Sequence, residues 1–116
     1  MANVWLSNYL ISVHQNADGL TATGIETLCF SNNGQTHRLA HAVQKALISA
    51  TKDRDRGVKI RKDLGILRKS KMPAILIESG FISNPETEKK LQTRQYQTAI
   101  ARAICDGIAD FAMLKK

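Results

Sequence analysis

The chain has few aromatic residues, 5% of 116, so aliphatic side chains have to build its core. It holds no apolar run approaching the ~20 residues that a membrane-spanning helix needs. No basic, apolar, small-residue leader opens it, so no secretory signal is visible. It has two cysteines, Cys29 and Cys105, far apart and without a CxxC partner. Each falls inside an apolar pattern, which reads as a buried free thiol rather than a disulfide, and the compartment is not legible from them. No base stands beside either one, which argues against thiol catalysis. There is no GxSxG, no Gly-rich phosphate loop, no internal repeat and no low-complexity tract. At this length the chain is one domain at most. It opens Met1-Ala2-Asn3-Val4-Trp5 with almost no lead-in to what reads as a helix end, which raises the expectation of sequence upstream.

Acidic residues are also scarce, 10 against 17 Lys and Arg, giving a net charge of +7. Nine of those cations, with three Asp, lie between Lys52 and Lys71. Such a segment fits a polyanion such as nucleic acid, an anionic membrane surface or an acidic cell-wall polymer; it fits equally a solvated face with no partner. The nucleic-acid reading rests on charge alone, because no aromatic residues interleave the cations.

What is present centres on Pro73 to Phe81. Ala74 to Ile77 is an apolar run between a proline and a carboxylate, the pattern of a strand buried on both faces. Glu78 then stands at the carboxyl end, where open α/β sheets place their chemistry. Partly desolvated, it is a candidate general base; otherwise it caps the turn or pairs with a cation. Tyr9 to His14 reads as a second strand ending on a titratable group, and Gly24 to Phe30 as a third. Gln15 to Gly24 is turn chemistry, and Ser31 to Gly34 breaks the chain again. A helix is expected from about Gln35 to Ala50, burying Leu39, Val43, Ala46, Leu47 and Ala50. Val58 to Arg61 reads as an edge strand and Gly65 to Arg68 as a short strand or turn. Ser83 or Asn84 caps a final helix that the apolar stripe carries to about Phe111, with Asp106-Gly107 a soft spot within it.

If their strands are neighbours, His14 and Glu78 share a cleft, as a metal ligand with a carboxylate base or as an acid–base pair. His37 and His41 have the spacing of a helical zinc pair. Arg38 stands where HExxH requires Glu, however, and the pair lies at the margin of the buried stripe.

Three segments, in order, resemble the zinc-dependent N-acetylmuramoyl-L-alanine amidases. Ile11 to Ala17, read ISVHQNA, is similar to that family's second zinc-ligand motif. Asp55 to Lys59 with Leu64 to Arg68 resembles its middle segment, and Pro73 to Asn84, read PAILIESGFISN, its signature around the catalytic glutamate. The resemblance implies an α/β fold, with a mostly parallel sheet flanked by helices. It implies hydrolysis of the amide between N-acetylmuramic acid and L-alanine in peptidoglycan, at the cell wall or otherwise outside the cell. His14 would be a zinc ligand and Glu78 the general acid/base, with zinc polarising the scissile carbonyl and lowering the pKa of a bound water toward ~7. The loop from Asn16 to Gly24 would lie beside the metal.

The family's other two zinc ligands, a His and a Glu, lie upstream of the motif at His14, in segments this chain lacks. Asp18 or Glu26 could offer an oxygen, but the family gives them no such role. Residues 1–116 therefore read as an amidase catalytic domain truncated at its N-terminus, without the opening strand and first ligand segment. Weak zinc binding and little activity follow as expectations. So does an uncovered sheet that invites homo-oligomers. A non-catalytic wall-binding or regulatory fragment is the alternative. The resemblance does not separate autolysin, sporulation enzyme and phage lysin.

Overall fold

A computed structural model describes residues 9–31 and 34–115. Of the stretch Val4 to Tyr9, read as finishing a helix or leading into the sheet, all but Tyr9 lies outside those residues, as do Asn32 and Asn33 of the turn. The described elements are β1 (Leu10–Asn16), β2 (Ile25–Cys29), α1 (Gly34–Thr51), β3 (Asp55–Ile60), α2 (Gly65–Arg68), β4 (Ala74–Phe81), α3 (Pro85–Leu91) and α4 (Arg94–Lys115). The strands form one sheet in the order β1-β4-β2-β3. β1 runs parallel to β4 and β2 to β3, and only the β2–β4 pair is antiparallel. This is the expected α/β fold with a mostly parallel sheet.

β4 is central, and Ala74 to Ile77 are buried, as the unbroken apolar run requires. On one face Ile75, Ile77, Ile25 and Cys29 pack against Leu39, Val43 and Leu47 of α1 and Ile100, Ala103 and Phe111 of α4. On the other, Leu28, Ala74 and Leu76 meet Leu67 of α2. α2 therefore covers only part of this second face. On the first face Val13, in edge strand β1 and paired with Ile77, remains 43% exposed.

Several boundaries differ from the sequence reading. Gly65–Arg68 is a helical turn, not a strand, because Ile66 and Leu67 cover the sheet from above rather than extending it. The final helix is two helices. Gln92 closes α3, and the Thr93 hydroxyl donates to Lys90 O at 2.8 Å and accepts from Tyr96 N at 3.2 Å, ending one helix and starting the next. Asn84, not Ser83, caps α3, its side chain accepting from the amides of Glu86 and Thr87. Ala50 is exposed, and so is Cys105, which lies on the outer side of α4. Cys29 is the buried thiol; burial raises its pKa and its sulfur donates to Ser31 O at 3.3 Å. Both cysteines are free.

Gln44 is a buried polar hub that periodicity did not reveal. It is 3% exposed. Its amide donates to Ile25 O at 2.8 Å and Asp55 Oδ1 at 2.9 Å, and accepts from Thr27 Oγ1 at 2.9 Å. One side chain thus ties α1 to both β2 and β3. Gln44→Leu is expected to cost about 1–3 kcal/mol, because it strands buried partners rather than removing both sides of a bond. Denaturant unfolding checks this, and an unchanged midpoint would remove Gln44 from the structural core.

Tyr96 ties α4 to the α1–β3 connection by donating to Asp53 Oδ2 at 3.1 Å. Burial, then the Asp53 charge, pushes its phenol from 10.0 up to about 12. The fold favours the protonated phenol, so this contribution is complete below pH 10 and drains away as pH rises through about 12. Ultraviolet titration is expected to show one of the two tyrosines ionising late. Tyr96→Phe should flatten the loss of stability across that window; an unchanged slope contradicts the assignment.

Candidate active site

His14 and Glu78 are direct register partners across the parallel β1–β4 pair, and Glu78 faces Glu26 across β2–β4. Register partners point to the same side of a sheet. The three side chains therefore form a row on the face that α2 only partly covers. Neither His14 nor Glu78 ends its strand, as the sequence reading had it; β1 continues to Asn16 and β4 to Phe81. The ladder slips between His14 and Asn16, so the strands begin to part just beyond the pair.

The imidazole is exposed, but its ring is held from below. His14 Nε2 lies 2.9 Å from the hydroxyl of Ser12, a residue 1% exposed on the same face. The Ser79 hydroxyl donates to the His14 carbonyl at 3.2 Å and so bridges β1 to β4 at the slip. Ser79 is thus a support and not a nucleophile. Ser12 escaped the sequence reading because a small polar residue in a strand carries no periodic signal of its own; Ser79 was weighed only as a nucleophile, without the strand-to-helix elbow that role needs.

Glu78 is half-buried, and its Oε2 is fully buried with no hydrogen-bond partner. Burial pushes its carboxyl above the ordinary carboxylate range; His14 opposes that rise, Glu26 adds to it and Arg61 again opposes it. A carboxylate whose buried oxygen has no donor is poor structural economy. Such a group is a candidate for proton transfer. Of the two readings left open for Glu78, a turn cap is excluded by its place inside β4, and no ion pair to it is found among the described residues.

Gly80 brings α3 against the strand just after Glu78. It sits at φ +156°, and a Cβ there would stand 2.9 Å from Thr87 Cγ2. The loop 17–24 packs at the same end of the sheet. Ser83 Oγ accepts from Asp18 N at 3.0 Å, and Asn84 Nδ2 donates to Leu20 O at 3.1 Å. The Arg56 guanidinium stacks 4.8 Å from the Phe81 ring centroid and donates to Thr23 O at 3.3 Å. The loop is therefore tied to the turn that follows Glu78.

A catalytic zinc takes about three protein ligands. Among the described residues, no group of three or more His, Cys, Asp and Glu stands close enough to hold a metal ion. His14 offers a nitrogen and Glu78 an unused oxygen, but Glu26 is drawn toward Lys59 Nζ at 3.9 Å. Among the described residues the donor set for such an ion is incomplete. His37 and His41 touch each other, Nε2 to Nε2 at 3.2 Å, on α1, the helix that packs the opposite face of the sheet. They play no part in this row.

The basic segment is split by the fold. Arg54 precedes edge strand β3, Arg56 and Lys59 lie on it, Arg61 and Lys62 follow it, and Arg68 and Lys69 lie on and after α2. Arg61 is engaged by Asp63, whose carboxyl its guanidinium holds down to about 2.

The family model described as N-acetylmuramoyl-L-alanine amidase matches residues 1–110. The Bacillus subtilis (strain 168) protein YqiI is 36% identical over 107 residues, covering 90% of this chain and 52% of its own length. The N-acetylmuramoyl-L-alanine amidase CwlM of Bacillus licheniformis is 33% identical over 116 residues, covering 99% of this chain and 45% of its own. Among solved structures, an N-acetylmuramoyl-L-alanine amidase from Clostridium difficile 630 superposes with a TM-score of 0.89 at 39% identity, over 95% of this chain and 60% of that one. The chain spans about half the length of these curated relatives. On the family match, the shared fold and the order of the three motifs, the chain belongs to the N-acetylmuramoyl-L-alanine amidase family.

Proposed function

We propose that the protein cleaves the amide between the lactyl group of N-acetylmuramic acid and L-alanine in peptidoglycan, with Glu78 as general base and then general acid. The observation that carries this reading is the buried, partnerless Oε2 of Glu78 beside the exposed ring of His14. Glu78 takes a proton from the attacking water as its oxygen bonds to the lactyl carbonyl carbon. It returns that proton to the L-alanine nitrogen as the carbon–nitrogen bond breaks, leaving a carboxyl on the sugar side and a free amino terminus on the peptide. Burial raises the carboxyl's affinity for a proton, which favours the first transfer. A zinc ion, if bound, would supply Lewis acidity to the carbonyl, with His14 as the one ligand that the family resemblance assigns. Action at the cell wall follows from the substrate.

The incomplete donor set favours a second reading, in which the chain grips the wall without turning it over. One experiment separates the two. The protein is incubated with purified peptidoglycan, and newly freed amino termini are identified by end-group labelling, before and after chelation and zinc return. Free L-alanine termini that vanish on chelation and reappear with zinc are expected. Sedimentation with the wall and no new termini would establish the second reading instead.

A further inference from the structure

The face that carries His14, Glu78 and Glu26 ends, on its β3 side, in Lys59 and Arg61, each beside a carboxylate. Lys59 is the register partner of Leu28, and Leu28 of Leu76, so Lys59 projects from the same face as Glu78. Its Nζ leans back to Glu26 Oε2 at 3.9 Å, with 47% of its side chain exposed against 14% for Glu26. That contact is long for a charge-assisted hydrogen bond, and it leaves the ammonium donors free for a further acceptor. Arg61 stands just past β3, 44% exposed, gripping Asp63 through two bonds of 2.9 and 2.8 Å. Its charge acts on both Glu26 and Glu78. Arg68 stands close enough to add its charge at Asp63. Glu26 holds the lysine stem toward the site, and the ammonium is presented at the rim.

The spacing sets what this cation meets. Lys59 lies two strands from Glu78, about 10 Å across the sheet. An extended peptide covers at most about 3.3–3.6 Å per residue. A substrate carboxylate two or three residues from the cleaved amide therefore reaches Lys59, while one adjacent to the bond does not. The stem peptide of peptidoglycan carries free carboxylates at that remove from L-alanine, unless they are amidated. We infer that Lys59, supported by Arg61, selects the substrate by pairing with a free carboxylate on the second or third residue of the stem peptide. The inference rests on the amidase reading above.

The test uses matched muramyl peptides, identical except that this carboxylate is free or amidated. Binding is measured by calorimetry on the Glu78→Gln protein, and kcat and KM on the unaltered one. The free acid is expected to bind roughly 10- to 100-fold more tightly. Lys59→Met should abolish that preference, read as loss of the difference in KM between the free acid and the amidated peptide. Lys59→Arg should restore it, and Lys45→Met, on α1, should do nothing. Equal binding of the two peptides by the parent protein overturns the inference. So does a Lys59→Met loss that is the same for both, or one seen only on walls that retain their anionic polymers. Because binding is read without turnover, a preference for the acid in a protein that hydrolyses neither peptide sinks the amidase reading and leaves the carboxylate subsite standing.

Discussion

Glu78→Gln is expected to lower peptidoglycan hydrolysis by about 10²–10⁴-fold, the usual worth of a general acid–base group, without weakening the fold. The two halves of this expectation have separate causes. Glutamine keeps the shape of the side chain but neither accepts nor returns a proton. The carboxylate it replaces sits half-buried with one oxygen unpartnered, so the native residue costs stability rather than supplying it. Removing that charge lets the site relax, and the melting temperature should stay level or rise. Glu78 also faces Glu26 across the ladder, and a like charge opposite is unfavourable. Loss of activity together with an unfolded or strongly destabilised protein would make Glu78 structural and end its catalytic assignment. Full activity in a well-folded variant would do the same from the other side.

The largest stability effect is expected at Gly107. By composition alone, glycine in mid-helix is a weakness worth about 1 kcal/mol against alanine. The structure gives the reason it is there. A Cβ on Gly107 would stand 2.7 Å from Val43 Cα, 3.0 Å from Ala42 O and 3.1 Å from Val43 N. These are backbone atoms of α1, so no side chain can swing away. α1 and α4 cover the same sheet face, and Gly107 is where they approach most closely among the glycines. Gly107→Val must push the helices apart and open the layer that contains Leu39, Val43, Ile100 and Phe111. Overpacking of this kind costs roughly 3 kcal/mol, or on the order of 10–20 °C in a domain of this size. Gly107→Ala should also destabilise, against its better helix propensity. If alanine stabilises instead, the close crossing is not real.

The two variants show where sequence reasoning runs short. Glu78 was legible because a strand's apolar run ended on a charge. Gly107 was visible only as a soft spot, because the helix that explains it lies more than fifty residues earlier. Gln44 was silent for the same reason: its three partners belong to β2 and β3, and nothing local distinguishes it from an exposed glutamine on the polar side of α1. Gly65–Arg68 was misread because four residues carry too little periodicity to separate a strand from a helical turn. The break between α3 and α4 was missed because the apolar stripe resumes in phase after Thr93.

Local pattern by itself determined that β4 is a buried strand and that α1 and α4 are amphipathic, and it singled out His14 and Glu78 as candidates. Those are consequences of side-chain periodicity and of charge beside apolar runs, which act over a few residues. Only the tertiary structure decided that β1 lies beside β4 in the register that pairs His14 with Glu78, and that β2 enters antiparallel to add Glu26 and bring Lys59 to the rim. Pairing partners and register are chosen by how whole faces pack, and a shift of one residue would have turned each of these groups to the other side of the sheet.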